Sequence, residues 1–301
     1  MATSTAAEAS FFRVFLGINN LSLSEREIIK VERAAELKIF HGCGWLDHVT
    51  SNTSVKKGNG VRLFFNDPGD GVICETTPVN LDLDRFGYQW VVIYAKAFVR
   101  NIISTGYTIK AEKIHLGFKL LSEISPKEMH QLNQQEIVKF IKYLEIKDKE
   151  MAGVVNHVLS ENQRVLKAEK LFNQLQQADP GSLLSKQIIQ KIGRLLNACA
   201  RSSIDSMGVP TGIHRLPSFD PFLDQIRLAG AIGARNMGGG FTPTMLALIE
   251  KASSKNYVLD LNKRLVKLCP EIKFVVTPVS IGKASRILKA VTPFEKQKKF
   301  P

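Results

Sequence analysis

The chain has 301 residues, 44% hydrophobic and 23% charged, a composition that can bury a substantial core and excludes wholesale disorder. Lys and Arg number 41 against 28 Asp and Glu, a net charge of +13 that points to a polyanionic partner. The four cysteines, Cys43, Cys74, Cys199 and Cys269, are too widely spaced for a disulfide framework, which implies reduced thiols in a cytosolic or nuclear compartment.

The N-terminal MATSTAAEAS lacks a basic n-region, and the apolar patch 11–18 is short and carries Arg13. Residues 1–20 are therefore expected to form an arm, without signal peptide or membrane insertion. Ser24 and Glu27 fit a capping box, and Ile28, Val31, Ala35 and Ile39 then recur at helical spacing until His41-Gly42. Residues 61–65 and 72–77 are β-prone runs around the turn formers of 66–71, which predicts a hairpin. From Tyr88, the spacing of Trp90, Ile93, Ala97 and Ile102 predicts a buried helix. Further helices are expected over 108–123 and from Ser125-Pro126 onward, the latter with Pro at N1.

The most regular segment runs from Met151 through Val154, Val158, Glu161, Val165, Ala168 and Phe172 to Leu175. It is a heptad seam with one polar member, Glu161, stopped by Asp179-Pro180-Gly181. Another amphipathic helix covers 182–202, a loop 203–219, and Asp220-Pro221 opens a helix that ends in the glycine-rich stretch 230–240. Thr242-Pro243 is expected to open a helix, 256–269 to be helical, 272–276 a short strand and 280–291 a basic helix. The pattern is mainly α: two helical lobes with a small β-hairpin excursion near residues 60–77. The parts are an arm over 1–20, an N-terminal helical lobe over 21–150, a long linking helix over 151–178, a C-terminal basic lobe over 179–292 and a basic tail over 293–301.

No phosphate loop of the GxxxxGK[ST] type, HExxH, GxSxG or paired CxxC occurs. His41, Cys43, His48 and Cys74 match no common zinc module, and the acids Asp67, Asp70, Glu75, Asp82 and Asp84 read first as turn formers. Gly238-Gly239-Gly240, after Arg235 and Asn236 and before Thr242, would let backbone amides approach a phosphate, with Arg235 adding a planar fork of donors. Basic residues concentrate at the C-terminus, eleven against three acids from Lys255 onward. Lys263, Arg264, Lys267, Lys283, Arg286 and Lys289 are candidates for following a phosphate backbone, as are Lys96, Arg100, Lys110 and Lys113 in a second basic stretch.

These features favour a non-enzymatic protein of nucleocapsid or coat type, binding single-stranded RNA without sequence preference and self-associating along it as a homo-oligomer. The analogy is one of build, with no motif matched and no cofactor implied. Its setting would be the cytoplasm or a virion. The alternative is a helical adaptor working through protein contacts; an enzyme using Asp82 and Asp84 ranks third.

Overall fold

The structure is a computed structural model that describes residues 3–38, 44–53, 56–65, 74–96, 106–125, 127, 131–209, 211, 218–237 and 244–282. The chain divides into two units, a smaller one holding 2–56 and 63–77 and a larger one holding 57–62 and 78–282.

In the smaller unit, α1 (Thr3–Ile18), α2 (Glu25–Leu37) and α3 (Leu46–Asn52) pack together. Both halves of the Ser24–Glu27 capping box form: Glu27 N donates to Ser24 Oγ at 3.3 Å, and Ser24 N to Glu27 Oε2 at 2.8 Å. Among the described residues the apolar cluster here is small: buried Ile29 and Val49 with half-buried Trp45 and Leu63 around them. The stretch expected to be an arm is the helix α1, with Ala9 and Leu16 buried and Phe11, Phe15 and Ile18 exposed. The expected hairpin forms as β1 (Asn59–Phe65) paired with β2 (Cys74–Asn80), and the division between the units runs through this ribbon.

The larger unit is built on a four-stranded antiparallel sheet, which corrects the two-lobed helical expectation. Its strands are β3 (Tyr88–Ala95), β4 (Gly233–Asn236), β5 (Thr244–Glu250) and β6 (Phe274–Val279), in the order β4-β5-β3-β6. Its helices are α4 (Tyr107–Ile124), α5 (Gln134–Lys147), α6 (Lys149–Gln177), α7 (Leu183–Asp205), α8 (Asp220–Leu228) and α9 (Ser254–Leu268).

The segment from Tyr88 is the central strand β3, not a helix, and β5 is a strand where Thr242-Pro243 suggested a helix start. Helices cover both faces of the sheet, so neither strand shows the alternation of a half-exposed one. Val91 and Ile93 face a cluster containing Phe222 and Ile226 of α8 and Leu261 and Leu265 of α9. Tyr88 and Trp90 face Phe172 and Leu175 of α6 and Ile188, Ile189 and Ile192 of α7. A short, wholly apolar run satisfies both a helical and a strand template, and here burial on two sides decides for strand.

A third apolar cluster joins α4, α5 and the first half of α6, with Leu121, Phe140, Leu144, Val154, Val155 and Leu159 at its centre. The heptad seam is only partly the buried face. Met151, Val154, Phe172 and Leu175 are buried, whereas Val165 is exposed. The helix α6 serves different neighbours at its two ends, α4 and α5 early and the sheet late.

Candidate functional site

Two clusters of polar groups stand out, one in each unit. In the larger unit, α7 crosses β4 at very short range. A Cβ on Gly233 would lie 2.2 Å from the carbonyl oxygen of Gly193, and one on Gly193 2.7 Å from that of Ile232. This approach lets α7 side chains reach the strand edge. Asn197 Oδ1 accepts from Ala234 N at 3.0 Å, and Ser203 Oγ donates to the buried Asn236 Oδ1 at 2.6 Å.

Between these residues and α6 lies a charged network. Glu161, the polar member of the seam, accepts from Cys199 Sγ at 2.8 Å and from Arg164 Nε, and lies 3.7 Å from Arg235 Nη1. Arg235 Nε also donates to Asn236 O at 2.9 Å, and Arg164 Nη2 to Ser160 Oγ at 2.7 Å. His157 Nδ1 lies 3.0 Å from Ser202 Oγ.

Burial alone would raise the Glu161 carboxyl, but the Cys199 thiol, Arg235 and Arg164 together hold it below its ordinary range. Burial pushes the Cys199 thiol up to about 12, so it is an inert donor and not a nucleophile. Burial likewise depresses His157, with Arg164 and Arg235 adding to the effect and Glu161 opposing it. Two guanidinium groups against one carboxylate leave the network net positive. It braces the backbone of 233–237, from which the glycine run departs; residues 238–243 lie outside the described residues.

In the smaller unit, α1, α2 and α3 bring Glu8, Glu36 and His48 together. The imidazole of His48 is wholly buried, its Nε2 3.1 Å from Glu36 Oε2 and 4.0 Å from Glu8 Oε2. Beside it, Asn52 Nδ2 donates to the buried Glu32 at 2.6 Å, and Arg13 Nη2 donates to Asn52 Oδ1 at 3.1 Å. Burial and then the Glu36 charge raise the Glu8 carboxyl, with His48 opposing. One position before His48, in the first turn of α3, Asp47 is exposed.

The basic residues singled out from the sequence are dispersed. Lys110 and Lys113 lie on α4 in ion pairs: Lys113 Nζ is 2.8 Å from Asp148 and 2.7 Å from Glu150, and Lys110 Nζ is 3.5 Å from Glu150. Lys96 is exposed just past β3. On α9, Arg264 pairs with Asp260 at 2.7 Å while Lys263 and Lys267 are exposed. Among the described residues of this set, Arg235 alone joins the network described above. Arg100, Lys283, Arg286, Lys289, His41, Cys43, Asp67 and Asp70 lie outside the described residues, as do the side chains of Cys74 and Glu75. Asp82 and Asp84 are turn formers: Asp82 Oδ1 accepts from Asp84 N at 3.0 Å, and Asp84 pairs with Lys251 at 3.2 Å. Glu8 and Glu36 went unremarked in the sequence because no spacing links positions so far apart.

The fold is similar to that of two kinases of known structure. The chain matches the crystal structure of Lactococcus lactis galactokinase complexed with galactose at a TM-score of 0.72 and 19% identity, over 91% of this chain and 64% of that one. It matches L. major mevalonate kinase in complex with R-mevalonate at a TM-score of 0.53 and 16% identity, over 95% of this chain and 67% of that one. In sequence it is 26% identical over 256 residues to the galactokinase of Clostridium tetani (strain Massachusetts / E88), covering 83% of this chain and 57% of that protein. The chain thus spans less than two thirds of the length of either galactokinase. No family model matches it.

These likenesses overturn the reading of a non-enzymatic coat protein with single-stranded RNA and its own copies as partners, and the adaptor reading with it. Net charge misled because it ignores pairing: the Lys110 and Lys113 charges are matched by acids of the α5–α6 junction. Among the described residues, no helix is long and apolar enough to cross a membrane.

Proposed function

We propose that the chain belongs to a small-molecule kinase, transferring a phosphoryl group from a magnesium–nucleotide substrate to a hydroxyl of a small polar metabolite. The observation that carries this reading is the joint likeness to galactokinases, in sequence over 256 residues and in fold at a TM-score of 0.72. In such a reaction the bond from the donor's bridging oxygen to its terminal phosphorus breaks and a bond to the acceptor oxygen forms. The hydroxyl proton passes to a carboxylate, and positioning with charge stabilisation does most of the work.

Asp47 is the candidate carboxylate. Glu8, Glu32 and Glu36 are engaged in the buried cluster and Glu27 caps α2, whereas Asp47 is exposed at the start of a helix. Arg235, braced by Glu161, holds the root of the glycine run, whose backbone amides would approach the donor phosphates. The phosphate role read for Arg235 in the sequence is retained here as part of the proposal.

The test is incubation of the full chain with magnesium–ATP and galactose or mevalonate, with phosphorylated product followed by mass spectrometry. Product from either acceptor supports the reading. Absence of product from both, together with no saturable nucleotide binding, sinks it. Asp47→Asn is expected to lower kcat about 10²–10⁴-fold with little change in KM, a loss confined to the chemical step.

A further inference from the structure

We propose that Glu8, Glu36 and His48 form a binding site for one borderline divalent cation of the zinc type, supplying three of its ligands, independent of the kinase reading.

The orientation of His48 carries the argument. Its Nδ1 lies 3.3 Å from the carbonyl oxygen of Gly44. A carbonyl can only accept, so Nδ1 donates to it, and in the neutral imidazole Nε2 then presents its lone pair. That lone pair is buried, makes no well-aligned hydrogen bond, and points at two carboxylates. Glu36 Oε2 is near enough at 3.1 Å, but proximity without direction is not a hydrogen bond, so the acceptors confront one another. Glu8 Oε2 is also buried without a hydrogen-bond partner. Three facing acceptors in a water-poor site need a cation between them. A backbone carbonyl on the far nitrogen is also the usual means of orienting a metal-bound imidazole.

The dimensions fit. The three ligand atoms lie within 4.8 Å of one another. Tetrahedral ligands at about 2.0–2.1 Å from zinc are roughly 3.3 Å apart, so Glu36 is already in place and Glu8 must close by under about 1.5 Å. The Glu8 side chain is 37% exposed, which leaves it room to do so and opens a path for the ion. One imidazole nitrogen with two carboxylates favours zinc, cobalt or nickel over magnesium or calcium. Of the polar groups nearby, Arg13 donates to Asn52, Asn52 to Glu32, and Arg33 lies over the Trp45 ring at 3.9 Å. Each ligand comes from a different helix, so the ion would cross-link α1, α2 and α3, where the apolar cluster of the described residues is small.

The test is titration of chelator-stripped, untagged full chain with zinc, followed by calorimetry and thermal melting, with cobalt as a spectroscopic stand-in. One site per chain with a dissociation constant of about 1 μM or tighter is expected, with a raised Tm and a cobalt visible band of low-coordinate intensity. Glu8→Gln, at a partly exposed position that tolerates change, should weaken binding at least about tenfold and bleach the band without unfolding the protein. His48→Gln should abolish both. Absence of saturable binding would overturn the proposal, as would binding that Glu8→Gln leaves untouched. A stripped protein that ignores zinc and loses stability as pH rises through the imidazole range would assign the bridge to a proton on His48 and overturn it equally.

Discussion

Glu161 shows how one side chain can be unremarkable in a sequence and central in a structure. In the heptad pattern it was the seam's flaw; folded, it gathers a thiol and two guanidinium groups. Glu161→Ala is expected to cost about 2–3 kcal/mol, because it leaves Arg164 and Arg235 facing each other without a counter-charge. A denaturant titration measures the loss. The pH dependence has two parts. His157 is depressed in the folded protein, so the unfolded chain takes up a proton first, and stability falls as pH drops below the ordinary imidazole value of 6.5. Glu161 is depressed too, so its contribution is complete above the ordinary carboxylate value of 4.5 and is lost as pH falls through its lower folded value. His157→Gln should flatten the first decline and leave the second, in melting curves taken across that range. Cys199, with its thiol near 12, should resist alkylation at pH 8 until the protein is unfolded.

At the scale of elements, the tightest constraint is the crossing of α7 over β4. The neighbours of an added Cβ at Gly233 are backbone atoms of Gly193, which cannot rotate away as a side chain would. Gly233→Ala is therefore expected to destabilise by about 3 kcal/mol, read as a lowered denaturant midpoint, and to misalign Asn236 and Arg235. Legibility in the sequence divided along element lines. Ser24 with Glu27 and Asp179-Pro180-Gly181 marked helix ends correctly, because caps and breakers act locally, and Asp220-Pro221 marked a helix start although Phe219, not Asp220, is the N-cap. The strands 88–95 and 244–250 were misread, because their evidence is what packs on each face, and spacing does not carry it. The short strand expected over 272–276 was legible, and it runs Phe274–Val279. Of the site, Arg235 was singled out in the sequence and takes part in the Glu161 network, whereas the meeting of Glu8, Glu36 and His48 is a product of tertiary structure.

At the scale of the molecule, the two units differ in what holds them. The larger has three apolar clusters rich in fully buried side chains, the smaller a few apolar contacts around buried polar groups. Native-state hydrogen exchange should show amides of α1 to α3 opening at lower free energy than those of β3 and β5, with the gap narrowing in zinc if the ion binds as proposed.

The central place of β3 also has a consequence for biosynthesis. Its partners β5 and β6 follow some 150 residues later, after the whole α4–α8 succession. At about 5–20 residues per second, a ribosome needs roughly 10–30 s to deliver them. For that time the segment Trp-Val-Val-Ile-Tyr has no strand to pair with, and α8, which covers the face opposite α6, emerges only shortly before β5. The nascent chain should therefore engage hydrophobic-segment chaperones most strongly between the emergence of β3 and that of β5.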